Sequence, residues 1–425
     1  MTLAQDSLAA RTADPAAPRR ARLMDRRTPP TLFTLVAISA IGPVSMNIFL
    51  PSLPSMTEWF ATDYAVMQLS VSAYLAVMAL VQLVVGPVSD RYGRRVALLW
   101  AFALMCVATV GCLLAPTIEI FLACRMGQAG AAAGLVLSRA VVRDMHGTDK
   151  SASLIGYVTM GMAVAPMLSP MVGGLLEASF GWRANFLFLL GMGLLVLLIS
   201  WLDVGETNAA PSTSLLDQAR SYPELLRSRR FWGYALCAAF CSGAFFSFLG
   251  GAPFVAAEVL GLPPEELGLW FGAIAGGYMS GNFVSGRWSM RLGVNRMILL
   301  GTLIASTTMA VCLALFLNGA AHPLALFGPI FFLGLGNGMT IPNATAGTLS
   351  VRPHLAGSAS GLGSTLMVGG GAGFATVTGA LLGPETGAIP LVAMMLGCSL
   401  ASVGAMLFVR WVDRVKGPLP ASGRP

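Results

Sequence analysis

Charge is what this sequence has least of. Only 11% of its 425 residues are Asp, Glu, Lys or Arg, against about 25% in an average soluble chain. That excludes an ordinary water-facing surface. Histidine is nearly absent: His146, His322 and His354 fall in predicted loops or at helix ends, so no metal cluster is implied. Cysteine offers no framework either. All seven cysteines sit inside apolar runs, where they read as small packing residues rather than disulfides or a zinc site. No Gly-x-x-x-x-Gly-Lys-Ser/Thr loop occurs, which excludes ATP as a direct energy source. Membrane depth holds no titratable pair and no His–acid set of the kind an intramembrane enzyme needs. No cofactor is called for.

Apolar residues and glycine are what is abundant: 56% of the chain is hydrophobic and 49 residues are glycine. Apolar segments of about 20 residues recur, each long enough for one bilayer crossing. Six lie at 32–50, 68–87, 96–115, 119–142, 151–178 and 183–203. Six more lie at 231–258, 266–286, 296–317, 323–348, 357–382 and 388–411. They are numbered helices 1 to 12 below. The expectation is an all-α polytopic membrane protein with two six-helix bundles. Residues 1–30 are rich in Arg, Ala and Pro and have no apolar core, so they read as a disordered tail and not a cleaved signal. The run Pro51-Ser52-Leu53-Pro54-Ser55-Met56 reads as an outer loop. Residues 204–230 are polar, with two prolines and four arginines, and read as the link between bundles. The expected units are therefore a tail 1–30, a bundle 31–203, a linker 204–230, a bundle 231–412 and a tail 413–425.

A net charge of +7 invites a nucleic-acid reading, but the distribution gives another reason. All 26 lysines and arginines except Arg125 and Arg183 fall in the two tails, the linker, the loops after helices 2, 4, 8 and 10, or the helix ends that border them. Eight acids gather on the other side: Glu58, Asp63, Glu119, Glu177, Glu258, Glu265, Glu266 and Glu385. The positive-inside rule then places both termini in the cytoplasm and makes the lipid bilayer, not nucleic acid, the first partner.

One stretch breaks the apolar pattern sharply: Gly86-Pro87-Val88-Ser89-Asp90-Arg91-Tyr92-Gly93-Arg94-Arg95. It reads as a short charged hairpin between helices 2 and 3. After helix 8, Gly286, Arg291, Gly293 and Arg296 echo it without the acid. An echo at the equivalent place points to a duplicated six-plus-six architecture. The spacing Gly-x-x-x-Asp-Arg-x-Gly-Arg-Arg resembles the loop between helices 2 and 3 of the major facilitator superfamily of transporters. That resemblance implies two six-helix bundles around a central cavity, alternating access and no enzymatic step. It implies a monomer in the inner membrane. It also implies a conformational latch of Gly86, Asp90, Arg91, Gly93, Arg94 and Arg95 with Asp144, which would pair with Arg94 at the cytoplasmic face.

Arg125 lies inside helix 4. A charge at membrane depth costs at least ~2.5 kcal/mol and is functional by default. Arg125 and Gln128, with Arg139 and Asp144 downstream, resemble the family's helix 4 signature, where the arginine is linked to proton coupling. Helix 5 carries Gly161, Pro166, Pro170, Gly173 and Gly174. Such density bends a helix and thins its surface, and the pattern resembles the antiporter signature of drug-exporting members. One departure stands there: the usual Gly-Pro pair reads Ala165-Pro166 or Ser169-Pro170. Gly181-Trp182-Arg183 with Phe186 resembles the start of helix 6 in the drug:proton branch. Met46-Asn47-Ile48-Phe49-Leu50-Pro51 resembles helix 1 of the Bcr/CflA-type exporters of bicyclomycin and chloramphenicol. The resemblance implies multidrug efflux: small amphipathic molecules leave the cytoplasm in exchange for protons.

The candidate cavity residues are Asn47, Tyr74, Gln82, Arg125, Gln128, Phe245, Phe246, Tyr278, Asn337, Asn343 and Met367. Flat aromatics and flexible methionine suit varied apolar ligands. The Bcr/CflA-type signature has aspartate where Asn47 stands, and asparagine does not titrate. Two readings follow. Coupling has moved to Glu119 or Glu177, or transport is weakly coupled and favours neutral or anionic molecules attracted by Arg125. Both glutamates fall near helix ends, close to water, which favours the second. Fold does not fix direction, so an importer on the same frame is the alternative.

Overall fold

Backbone in a membrane has no water to bond to, so it must satisfy its own N–H and C=O groups, and helices do so within one segment. The computed structural model describes residues 24–26, 28–145, 158, 165–207, 223–320, 322–352, 356–383 and 385–416. Among them there is no strand. The first four helices are α1 (Leu32–Trp59), α2 (Tyr64–Tyr92), α3 (Arg94–Leu114) and α4 (Ile118–Val142). Then come α5 (Ala165–Phe180), α6 (Arg183–Asp203) and α7 (Arg229–Val259). The rest are α8 (Pro264–Leu292), α9 (Val294–Leu317), α10 (Pro323–Ser350), α11 (Ala356–Leu381) and α12 (Ile389–Lys416). Among the described residues, nine of these are long and apolar enough to cross a bilayer. Helix 5 residues 151–157 and 159–164, Gly161 included, and linker residues 208–222 lie outside the described residues.

Two expectations need correction. The run from Pro51 to Met56 is helical and not a loop. A 3₁₀ turn spans Leu50–Ser52, and a short helix continues over Leu53–Trp59. Each proline occupies a first-turn position, where its missing N–H leaves nothing unsatisfied. The charged stretch is not a ten-residue hairpin either. Helix α2 runs on to Tyr92 and α3 begins at Arg94, so the break is Gly93 alone. Gly93 has φ 99° and ψ 144°, and Gly293 between α8 and α9 has φ 83° and ψ 150°. That region is nearly closed to other residues. The echo in the sequence is thus an echo in backbone conformation.

The packing repeats with six added to each helix number. α1 packs on α4 and α6 as α7 does on α10 and α12; α3 packs on α6 as α9 does on α12. The halves are joined mainly by α2 with α11 and by α5 with α8, and further by α1 and α2 against α7 and by α1 against α8. The end that carries Arg94 and Arg291 is called the basic end here, and the other the far end. At the far end the halves touch closely. Tyr64 donates its hydroxyl to Gly250 O at 2.7 Å. The buried Gln68 seats against Gly250 and Gly379, where any Cβ would overlap it. A Cβ on Gly174 would overlap Pro264 O, and one on Gly268 would stand 2.6 Å from Pro170 O.

Toward the basic end the halves part. The sites a Cβ would take on Gly86, Gly286 and Gly361 have nothing within 4 Å. Every position from Leu362 to Gly370 on α11 is half-buried. Gly371 ends that space, because a Cβ there would run into the Phe246 ring. The described contacts therefore close the halves on each other at the far end, with open space beside Gly86, Gly286 and Gly361 at the basic end.

Candidate functional site

Arg125 is 1% exposed and sits in a cage built by four helices. Its Nε donates to Ser70 O at 3.2 Å, and Nη2 to Ser45 O at 2.9 Å. Nη1 donates to Ser45 Oγ at 3.2 Å and Gln128 Oε1 at 2.6 Å. Gln128 in turn donates to Thr109 Oγ1 at 2.8 Å. The guanidinium lies between two ring faces, Tyr74 at 4.0 Å and Phe49 at 4.3 Å. Desolvated stacking of this kind contributes about 2 kcal/mol per ring. Helix α4 tightens to 3₁₀ over Gln128–Ala131, directly after the arginine. Among the described residues no carboxylate lies within ion-pair distance of Arg125. Among the described residues the charge is held by dipoles and rings, and it is sealed from solvent.

The other sequence candidates are distributed around this cage. Tyr74 and Gln128 are part of it. Asn47 is 2% exposed; Nδ2 donates to Pro43 O at 2.7 Å, and Oδ1 is buried without a partner among the described residues. Asn337 bridges α10 to α7: Nδ2 donates to Cys241 O at 3.3 Å, and Oδ1 accepts from Cys241 Sγ at 2.8 Å. Asn343 bridges α10 to α8, donating to Ser285 Oγ at 2.7 Å. Gln82, Phe245, Tyr278 and Met367 are half-buried. Met367 shares a cleft with Ala238, Thr348 and Gly363 between α7, α10 and α11. Phe246 is buried against Gly371.

At the basic end Arg94 joins three partners. Nε bonds Asp144 at 3.0 Å, Nη2 pairs with Asp90 at 2.5 Å, and Nη1 donates to Ser89 Oγ at 2.6 Å. Arg95 donates to Trp201 O and Val204 O. Arg91 lies over the ring of Tyr92. Gly86 faces open space. Helix α5 carries Pro166 and Pro170 within its described span, and Gly173 and Gly174 on the face that meets α1 and α8.

Sequence reasoning missed several residues here. Glu206 accepts from the N–H groups of Arg94 and Arg95 at 2.9 and 3.2 Å, capping α3 with a carboxylate at its positive end. Asp203, fully buried at the end of α6, accepts from Thr34 Oγ1 at 2.5 Å, Met24 N at 2.8 Å and Thr31 N at 3.0 Å. Its repeat partner on α12, Asp413, bonds Arg230 at 2.8 Å and Asn295 at 2.9 Å. The recurrence of an acid at the end of the sixth and twelfth helices was the available signal. Glu177 is the main correction. It is 8% exposed, not close to water, because the helical extension of α1 lies over it. Glu119 is exposed.

Comparison with known proteins bears on this frame. The sequence profile of the Major Facilitator Superfamily matches residues 35–376. An uncharacterized MFS-type transporter YdgK of Bacillus subtilis is 32% identical over 88% of this chain and 94% of its own. A chloramphenicol resistance protein of Pseudomonas aeruginosa is 30% identical over 91% of each chain. The solved structure of a bacterial homolog to the human lysosomal transporter Spinster, inward-facing and occupied, is similar with TM-score 0.72. It is 18% identical and covers 92% of this chain and 98% of its own.

Proposed function

The chain belongs to the Major Facilitator Superfamily of transporters, and on that premise we propose that it exports small amphipathic molecules from the cytoplasm in exchange for protons. The carrying observation is how the halves meet: closed at the far end by the Tyr64 and Gln68 contacts, with open space beside Gly86, Gly286 and Gly361 at the basic end. A pathway closed at one end only is the geometry alternating access requires. The basic end is read as cytoplasmic from its arginines. The substrate class is read from the candidate residues that remain once Arg125 is set aside. Arg125 is caged, so Phe245, Tyr278 and Met367 offer apolar and weakly polar surface without a fixed charge. The similarity to a chloramphenicol resistance protein supports the same class. Arg125 acts as the keystone of its bundle and not as a contact for anions. The Arg94 pairs with Asp90 and Asp144 act as a latch that favours one conformation.

Inside-out vesicles test the direction. Chloramphenicol-like compounds are expected to accumulate when the vesicle lumen is acidified, and a protonophore should abolish accumulation. Uptake by right-side-out vesicles instead would establish import.

A further inference from the structure

The outer side of the first bundle carries an apolar groove, apart from the transport residues described above. Helices α3 and α6 pack side by side, and Gly193 lets them close against Cys106. Beyond that contact, toward the basic end, they part around a groove of 520 Å³. Leu99, Trp100 and Ala103 of α3 and Leu194, Leu198 and Trp201 of α6 line it. That volume lies within the range of small-molecule sites. Leu194 and Trp201 are about two turns, or roughly 10 Å, apart on α6. Trp100 is 73% exposed and Trp201 51%, so the groove opens sideways, toward hydrocarbon.

Two cations stand at the basic mouth of this groove. Arg95 donates to Trp201 O and Val204 O, which leaves other N–H groups of its fork unused. The Arg26 guanidinium lies 5.9 Å from the centre of the Trp201 ring. Its backbone is held in place. Met24 N and Thr31 N, on either side of it, donate to Asp203 at 2.8 and 3.0 Å, and Gly205 seats against Arg26 O. Arg26 repels Arg95; Glu206 attracts it, but accepts from the backbone N–H groups of Arg94 and Arg95. Among the described residues no carboxylate lies within ion-pair distance of either guanidinium.

The second half repeats the frame without the arginine. Trp411 and Asp413 on α12 stand where Trp201 and Asp203 stand on α6. Counted from Gly93 and Gly293, Asn295 stands where Arg95 does. Asn295 donates to Asp413 at 2.9 Å and accepts from Tyr234 at 2.6 Å. Phe408, in the place of Leu198, stacks on Trp411 at 5.9 Å. Packing of these helices therefore keeps the tryptophan but does not require the arginine.

We propose that the groove binds an anionic glycerophospholipid, with an acyl chain between Trp100 and Trp201 and the phosphate at Arg26 and Arg95. The apolar walls take the chain, and tryptophans at a membrane interface sit at headgroup level. Guanidinium forks suit a phosphate. A zwitterionic lipid fits the same walls but brings its own cation to the two arginines. The site depends on neither the direction of transport nor protons.

Quenching by brominated acyl chains tests it, on the purified full chain in detergent micelles. The site signal is the quenching that Trp201→Phe removes. Dibrominated phosphatidylglycerol should saturate it at a mole fraction at least ~5-fold lower than dibrominated phosphatidylcholine, the effect of one arginine near a charged lipid surface. Arg26→Gln should bring the two lipids close to parity. Arg296→Gln, which removes the same charge from the start of α9, should leave the preference intact. Ala103→Phe fills the groove and should abolish the signal with both lipids. Equal saturation in the wild type, a preference that survives Arg26→Gln or falls equally in Arg296→Gln, or a signal that survives Ala103→Phe overturns the proposal. So does the absence of a signal with either lipid; cross-linking of Ala103→Cys chains to one another would then place a second copy over the groove.

Discussion

A single arginine in an apolar run was legible as a functional charge, but its cage was not. Ser45, Phe49, Ser70 and Tyr74 come from α1 and α2, far from Arg125 in sequence, and half of its acceptors are backbone carbonyls that no residue pattern marks. The fork is what the site uses. Lysine keeps the charge but cannot reach four acceptors or lie flat between two rings. Arg125→Lys is therefore expected to lower stability by about 2 kcal/mol, read as a lower thermal midpoint in detergent, and to remove transport. Asn47 makes the opposite case. Its Nδ2 donates to Pro43 O, and an aspartate can make that bond only with a proton on it. Asn47→Asp should thus be most stable at acid pH and lose stability as pH rises, while transport gains a steeper pH dependence. A pH-independent melting point for this variant would contradict the geometry. Glu177 was misread because its distance from the helix end was judged without the segment that covers it.

At the scale of elements, the twelve helices were legible from apolar length alone, since a segment that must satisfy its backbone internally has few alternatives. Their ends were not. Prolines 51 and 54 suggested a loop, yet both sit where a helix tolerates them. Gly86 and Gly93 were read alike, but only Gly93 has the positive φ that makes the turn, and a side chain there would also meet Glu206. Gly293 repeats the φ without the crowding. Both alanine variants are expected to cost about 1–3 kcal/mol for the backbone, with Gly93→Ala the worse because it also displaces the α3 cap. Comparing their unfolding midpoints checks this; equal losses would mean the Glu206 cap contributes nothing.

For the whole molecule, the duplicated architecture was visible as one degraded echo and is repeated in the packing of α1, α3, α4 and α6 by that of α7, α9, α10 and α12. The far-end closure was not visible, because Tyr64, Gln68, Gly250 and Gly379 carry no charge pattern and meet only in the folded chain. Bulk at these glycines should hold the far end open. Gly379→Leu is expected to leave the protein folded, to lengthen the distance between spin labels on Asp63→Cys and Glu385→Cys, and to reduce transport at least ~10-fold. The most direct measurement is proton flux through purified protein in liposomes, recorded while a chloramphenicol-like substrate moves against its gradient. A proton-coupled exporter gives a fixed ratio of protons to substrate, and an imposed pH gradient drives accumulation. Substrate that only equilibrates, with no proton movement above that of empty liposomes, would contradict it.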